Sequence, residues 1–184
     1  MRAQEQQTQD ILRFWFEELS DKQRFAKDTA LDMMMRERFG ALLAAASRGE
    51  LFTWRKSPQG RLAEIIVLDQ FSRNIHRDTV AAFTQDTQAL TLAQELVASG
   101  QDYVLDAGRR SFAYMPYMHS ESPLIHNQAV ALFSQPGMEG TLDYEMRHKA
   151  IVDQFGRFPH RNAILGRVST PHELEFLSQP GSSF

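Results

Sequence analysis

The sequence has 184 residues, a formal net charge of −3 and no cysteine. The hydrophobic fraction of 42% and the charged fraction of 23% are ordinary for a soluble globular protein, and the length suits one domain. These values exclude a disulfide framework and a thiolate metal site, and they argue against a general nucleic-acid binder, which needs a basic face. The first residues are too polar for a secretory signal, and the longest apolar runs fall far short of the roughly 20 residues that span a bilayer. We therefore expect a cytoplasmic protein that binds neither nucleic acid nor membrane.

Apolar residues recur at helical spacing along the whole chain, and cap residues, glycines and prolines separate the helical segments. Asp10 and Asp28 are predicted caps of the first two helices, and either Thr84 or Asp86 is the predicted cap of the fourth. In chain order, the predicted helices cover about 11–19, 29–48, 58–75, 86–99, 109–119, 123–135, 141–155 and 171–177. The last begins with a capping box at Thr170, and the tail 179–184 is expected to fray.

Strand signals are missing from this sequence. No segment alternates apolar and polar residues over a useful length, and no Asn-Gly or Asp-Gly hairpin turn occurs. Short connections between successive helices favour antiparallel hairpins that stack side by side. We predict one all-α domain over residues 1–184, arranged as a tetratricopeptide-like α-α superhelix.

Three polar groups stand beside apolar helical stretches. In the third helix, Asp69 and Arg73 lie on the stripe of Leu62 and Ile66, so both charges are expected to be partly buried and to need partners. A second group, His119-Ser120-Glu121, follows a helix that contains a proline. The third group leaves a helix through a glycine, turns at a proline and contains Arg157, His160, Arg161 and Asn162. His148, on the helix before it, shares a stripe with apolar neighbours.

Three blocks carry a resemblance to a known family: Leu68-Asp69-Gln70-Phe71-Ser72-Arg73-Asn74, Pro116-Tyr117-Met118-His119-Ser120-Glu121, and the stretch from Phe155 to Arg167. The sequence resembles the mainly bacterial, uncharacterised family known as domain of unknown function 924, over nearly its whole length. The resemblance implies a fold similar to tetratricopeptide-type helical repeats, and it implies no activity.

A helical superhelix commonly gathers helix ends on its concave side, so we expect the three blocks to share one pocket. The candidate residues of this pocket are Asp69, Arg73, Asn74, His119, Glu121, His148, Arg157, His160, Arg161 and Asn162. Arginines bind carboxylate and phosphate oxygens in pairs, so the pocket is predicted to take a small anionic molecule. His148 and His160 are candidate general acids or bases, with Glu121 as a candidate catalytic carboxylate. Whether the protein is an enzyme stays open.

Three other interpretations remain. The polar residues can form a structural lock that fastens the C-terminal turn to the central helix, with each charge paired. As a helical-repeat protein, the chain can instead be an adaptor for a peptide or protein partner, an argument from fold analogy alone. Glu145 and His148 lie one helical turn apart, a Glu-His spacing found in di-iron carboxylate proteins. Such sites need this motif twice and the sequence has it once, so we predict no metal. No phosphate loop or dinucleotide motif is present, and no cofactor is predicted.

Overall fold

The computed structural model describes residues 2–183, with side chains from residue 5 onward. Its helices are α1 Arg2–Arg13, α2 Asp21–Phe25, α3 Thr29–Ser47, α4 Pro58–Ile66, α5 Ser72–Ile75, α6 Asp86–Ala98, α7 Ala107–Met118, α8 Pro123–Phe133, α9 Glu139–Phe155 and α10 Pro171–Leu177. Short 3-10 turns occupy Phe52–Lys56, Val80–Ala82, Gln101–Val104 and Pro159–Arg161, and π turns occupy Phe14–Glu18 and Val67–Phe71. No strand occurs within this range, so the all-α prediction is confirmed.

Several helix ends follow directly from local sequence. The Asp28 carboxylate accepts hydrogen bonds from the first backbone amides of α3, and the predicted capping box at Thr170 is present at the start of α10. Gly49 and Gly156 follow α3 and α9 with φ angles of 73° and 70°, in the left-handed region that favours glycine. These predicted boundaries are confirmed. The sequence could predict them because each capping residue lies next to the helix end that it caps.

Two predicted caps are wrong, and in both cases a side chain has another partner. Asp10 lies inside α1, where its carboxylate accepts from Gln6 and Arg13. Asp86 is the first residue of α6, but its carboxylate binds Arg73 and that helix begins without a side-chain cap. An ionised partner makes a stronger bond than a backbone amide does, so both carboxylates bind the guanidinium.

Helix α4 is the centre of the packing. It contacts α1, α6 and α7, and the residues at its end are completely buried: Ile65, Ile66, Val67 and Leu68. Along the chain, α6 packs on α7, α7 on α8 and α8 on α9, an order that fits the predicted superhelix of helix pairs. A separate small apolar cluster lies under the C-terminal segment and consists of Ile151, Val152 and Phe158, with Phe155 and Phe176 against it.

The C-terminal segment is attached to the rest of the chain through side chains. The Ser182 hydroxyl donates to the carbonyl oxygen of Leu177, the last residue of α10, at 3.2 Å. Of the predicted frayed tail, residue 184 lies outside the described residues. No helix within residues 2–183 is long and apolar enough to cross a membrane.

Candidate functional site

The third predicted helix contains a π turn, Val67–Phe71, between α4 and α5. A π turn adds one residue to a helical turn, so side chains beyond it rotate relative to the regular stripe that the sequence predicts. Asp69 lies in this turn and is completely buried. π turns are rare in proteins and recur at functional sites, which directs attention to this carboxylate.

The Asp69 carboxylate has three side-chain partners. Its Oδ1 accepts from Nδ1 of His119 at 2.7 Å and forms an ion pair with Arg73 at 3.0 Å, and its Oδ2 accepts from Nε2 of Gln70 at 2.6 Å. Burial alone would raise the pKa of Asp69, but Arg73, His119 and Gln70 outweigh burial and keep this pKa well below its usual range. Asp69 is therefore ionised at neutral pH.

His119, the first residue after α7, is the partner that faces a pocket. Its Nδ1 donates to the ionised Asp69, so the neutral ring carries its lone pair on Nε2. Burial and the charge of Arg73 lower the pKa of His119, so the ring is neutral near pH 7. No residue in the described part of the chain hydrogen-bonds to Nε2. A neutral imidazole that a buried carboxylate orients in this way can accept a proton as a general base.

The pocket beside His119 has a volume of about 290 Å³. It is bounded by the start of α6, the end of α7 and the segment after Pro159. Its apolar wall consists of Val80, Phe83, Leu90, Pro116 and Leu165, and its polar lining consists of Thr84, Asp86, Thr87, His119, Ser120, Glu121 and Arg161. The three polar groups predicted from sequence thus each contribute at least one residue to the pocket lining or to the buried side chains that contact it.

Arg161 is the arginine of this pocket, and only 8% of its side chain is exposed. Its guanidinium lies between the rings of Phe83 and Phe158, at 4.6 Å from each ring centre. It donates to Asp86 at 3.2 Å and to the carbonyl oxygen of His119 at 3.0 Å, while its buried Nε has no partner. Burial and the nearby Arg73 lower the pKa of Arg161 to about 10.

The two carboxylates of the pocket have arginine partners. Asp86 accepts two hydrogen bonds from Arg73, at 2.9 and 3.0 Å, in addition to the one from Arg161. Glu121 accepts two from Arg167, at 2.6 and 2.8 Å, and one from the backbone amide of Phe158 at 2.8 Å. Both carboxylates are thus fixed in position by paired N–H donors.

Of the ten predicted pocket residues, only His119, Glu121 and Arg161 line it, and Arg157, Asn162 and Asn74 have their partners elsewhere. Arg157 forms a two-bond ion pair with Glu173 of α10, at 2.6 and 2.8 Å. Asn162 donates to the Ser169 hydroxyl at 3.0 Å, within the same C-terminal segment. These contacts attach α10 and the preceding loop to the end of α9, which matches the structural lock for this part of the cluster.

Asn74 also has its partners away from the pocket. Its amide donates to Asp32 of α3 at 2.8 Å, and Arg77 donates to the same carboxylate. This group connects α3 to the end of α5. Asn74 therefore has a structural contact on the side of the central helix that faces α3.

The two predicted catalytic histidines lie behind the pocket, around the buried ring of Phe158. The rings of His148 and His160 lie 5.7 and 5.6 Å from that ring, and His148 lies 6.3 Å from the ring of His119. Burial lowers the pKa of His148 to about 3 and that of His160 to about 4. Neither histidine is part of the pocket lining, and both are neutral at physiological pH.

Comparison with known proteins places the chain in a family. The sequence profile of the bacterial proteins of unknown function DUF924 matches residues 11–181. The chain belongs to this family. A solved structure, described as a protein of unknown function from Agrobacterium tumefaciens, is 36% identical to this chain and has a TM-score of 0.88. The match covers 94% of this chain and 97% of that one. The search of curated proteins found no match.

Sequence reasoning missed three residues that build the site in this DUF924 chain. Asp86 was predicted as one of two possible helix caps, Gln70 was read only as part of a block, and His126 was given no part in the pocket. His126 bonds Glu145 through Nδ1 at 2.7 Å and donates from Nε2 to the carbonyl oxygen of Ser120 at 2.8 Å, which fixes the loop that carries His119. No spacing in the sequence indicates the contacts of Asp86 and His126, since their partners come from other segments of the chain.

The structure also bears on the metal interpretation of this DUF924 site. Glu145 pairs with the buried His126, and His148 donates instead to the carbonyl oxygen of Tyr144. Within the part of the chain that the structure describes, no group of three or more histidine, cysteine, aspartate or glutamate side chains is arranged to hold a metal ion.

Proposed function

We propose that this DUF924 protein binds a small molecule in the pocket beside α6 and that His119 exchanges a proton with it. The observation that carries the proposal is the hydrogen bond of 2.7 Å from Nδ1 of His119, a residue of the pocket lining, to the buried, ionised Asp69, which leaves Nε2 as the ring atom open to a ligand. A carboxylate in this position selects the ring tautomer and stabilises the imidazolium that forms when His119 takes up a proton. Both effects favour general-base chemistry.

Arg73 and Gln70 have supporting parts in this arrangement. Arg73 binds both Asp69 and Asp86, so one guanidinium holds two carboxylates in position. Gln70 donates to the second oxygen of Asp69 and fixes the plane of that carboxylate. Neither touches the pocket, so we treat both as positioning residues.

Arg161 supports an anionic group on the ligand. Its single ion-pair contact with Asp86 is long for a charged hydrogen bond, and its pKa is lowered by burial and by the charge of Arg73. A ligand oxygen with negative charge at Arg161 would stabilise the charged guanidinium. The volume of about 290 Å³ lies at the lower end of small-molecule sites, which run from about 300 to 1,000 Å³.

A peptide-binding adaptor is the alternative, and one observation bears on it. A larger groove of about 780 Å³ runs between α1 and the turn Phe52–Lys56. The apolar residues at its base, Leu12 and Trp54, are 6% and 4% exposed, so they offer a peptide little apolar surface. Peptide grooves depend on accessible apolar or aromatic anchors, and the small pocket therefore accounts for the geometry better.

The test is a thermal-shift screen of carboxylated and phosphorylated metabolites, followed by variants. A ligand at 100 times its dissociation constant adds about 2.7 kcal/mol to the free energy of unfolding, which a melting curve resolves. We expect the shift to be lost or reduced in His119→Gln and Asp69→Asn and kept in Arg157→Ala, an arginine of the same block outside the pocket. An absence of shifts in the unmodified protein, or a shift that survives His119→Gln, refutes the proposal.

A further inference from the structure

We infer that the ligand of this site is a small organic acid with one carboxylate, a proton-donating group beside it and an apolar remainder. The inference rests on the proposed function and specifies its ligand class. It follows from an inventory of the hydrogen-bond donors and acceptors that line the pocket, since a ligand must complement those that the protein leaves unused.

Unused donors occur at Arg161. A guanidinium has five N–H groups, and the described residues accept from two of those on Arg161, at Asp86 and at the carbonyl oxygen of His119. The nearby carboxylates, in contrast, already have donors, because Asp86 and Glu121 each accept three hydrogen bonds from the protein. The ligand group at Arg161 must therefore be an acceptor, and a carboxylate matches a planar guanidinium best.

An unused acceptor occurs at His119. Nε2 of the neutral ring has a lone pair, so the ligand group that faces it must carry a proton: a hydroxyl, an amine or a thiol. Arg161 donates to the backbone carbonyl oxygen of His119, and both residues line the pocket, so the two unused positions belong to residues in direct contact. The proton-bearing group of the ligand is thus expected on a carbon close to the carboxylate.

The fixed carboxylates limit the charge of the ligand. Burial alone would raise the pKa of Glu121, but the bonds from Arg167 and the Phe158 amide outweigh burial and lower it, so Glu121 is ionised. With Asp86, it places two carboxylates in the pocket lining, each paired with an arginine outside the lining, and Arg161 is the arginine of the lining itself. A second charge on the ligand would lie close to like charges in a partly buried site, which disfavours a phosphate dianion relative to a carboxylate.

Most of the remaining lining is apolar, apart from Thr84, Thr87 and Ser120. Phe83, Leu90, Pro116 and Leu165 are lining residues that can contact a hydrocarbon chain. Burial of each methylene group contributes about 0.8 kcal/mol, so a tail of several carbons adds substantially to affinity. We therefore expect a medium-length hydrocarbon tail on the acid.

Four matched probes test the inference: 2-hydroxyhexanoate, hexanoate, 1,2-hexanediol and hexyl phosphate. Their dissociation constants are measured by calorimetry, with the His119 ring signals followed by NMR. We expect 2-hydroxyhexanoate to bind about tenfold or more tightly than each of the other three, because each lacks one matched hydrogen-bonding group or carries an extra charge. Arg161→Lys is expected to remove the preference for hexanoate over the diol, because lysine lacks the planar fork.

The outcomes separate this inference from the proposed function. If hexyl phosphate or the diol binds best and perturbs the His119 signals, the site is a small-molecule site but the inferred acid is wrong. If none of the four probes binds or perturbs the His119 signals, both the inference and the proposed function are refuted. Arg157→Ala is the control that should leave every dissociation constant unchanged.

Discussion

Acid should destabilise this protein before its carboxylates titrate, because of two buried histidines. The pKa values of His148 and His160 are lowered by burial to about 3 and about 4, whereas an exposed histidine has a pKa of about 6.5. Below pH 6.5 the unfolded chain takes up protons that the native protein does not. The contribution of the two neutral histidines to the free energy of unfolding is therefore fully present above pH 6.5, and it falls as the pH is lowered toward 4.

The magnitude follows from the two pKa differences. Between pH 8 and pH 5, each histidine reduces the free energy of unfolding by about 2 kcal/mol, and together they reduce it by about 4 kcal/mol. His119, whose pKa is also lowered, adds to this loss. Glu145 acts in the opposite direction, because burial raises its pKa and its protonated form is favoured in the native protein.

Urea unfolding at pH 8 and pH 5 measures this difference directly. A His148→Gln, His160→Gln double variant should lose most of the pH dependence, and Glu145→Gln should increase it, since that variant removes the opposing group. A loss of less than about 1 kcal/mol in the unmodified protein would refute the reasoning. So would a double variant that folds and keeps the full pH dependence.

Three further substitutions test the packing. Gly60→Ala should destabilise the protein by about 3 kcal/mol or more in urea unfolding, since a Cβ atom there would lie 2.0 Å from the backbone oxygen of Trp54. Gly40→Ala in α3 is the control, because a Cβ atom there meets nothing within 4 Å. This variant should raise the free energy of unfolding by about 0.5–1 kcal/mol, and a lower free energy of unfolding would contradict the stated geometry. Tyr114→Phe should cost about 1–3 kcal/mol, because it removes the bond of 2.5 Å to the buried Asp102, and an unchanged midpoint would show that this bond contributes nothing.

The fold could be predicted from the sequence to a large extent. Helix identity depends on the spacing of apolar residues, and most helix ends depend on a cap, a glycine or a proline a few residues away. Asp28, Gly156 and Thr170 act on their immediate neighbours, so their effect is visible in the sequence alone. Asp10 was misread because α1 begins at Arg2 and Asp10 lies inside it, and Asp86 because its carboxylate binds Arg73 in place of backbone amides.

The site could be predicted only in part. The three polar blocks were recognised, and Asp69, His119, Glu121 and Arg161 meet at or under one pocket. The roles within it changed, because His148 and His160 are buried around Phe158, which periodicity cannot reveal. Asp86, which binds two arginines of the site, lies outside all three blocks.

By itself, the sequence determined that the chain is helical, where most helices begin and end, and which polar residues are too close to apolar stripes to be fully solvated. The tertiary structure decided which of those residues face a pocket. Arg157 and Arg161 are four residues apart in one block, yet Arg157 pairs with Glu173 and Arg161 with Asp86. A buried charge pairs with whichever opposite charge packing brings within reach, and that partner comes from a distant part of the chain.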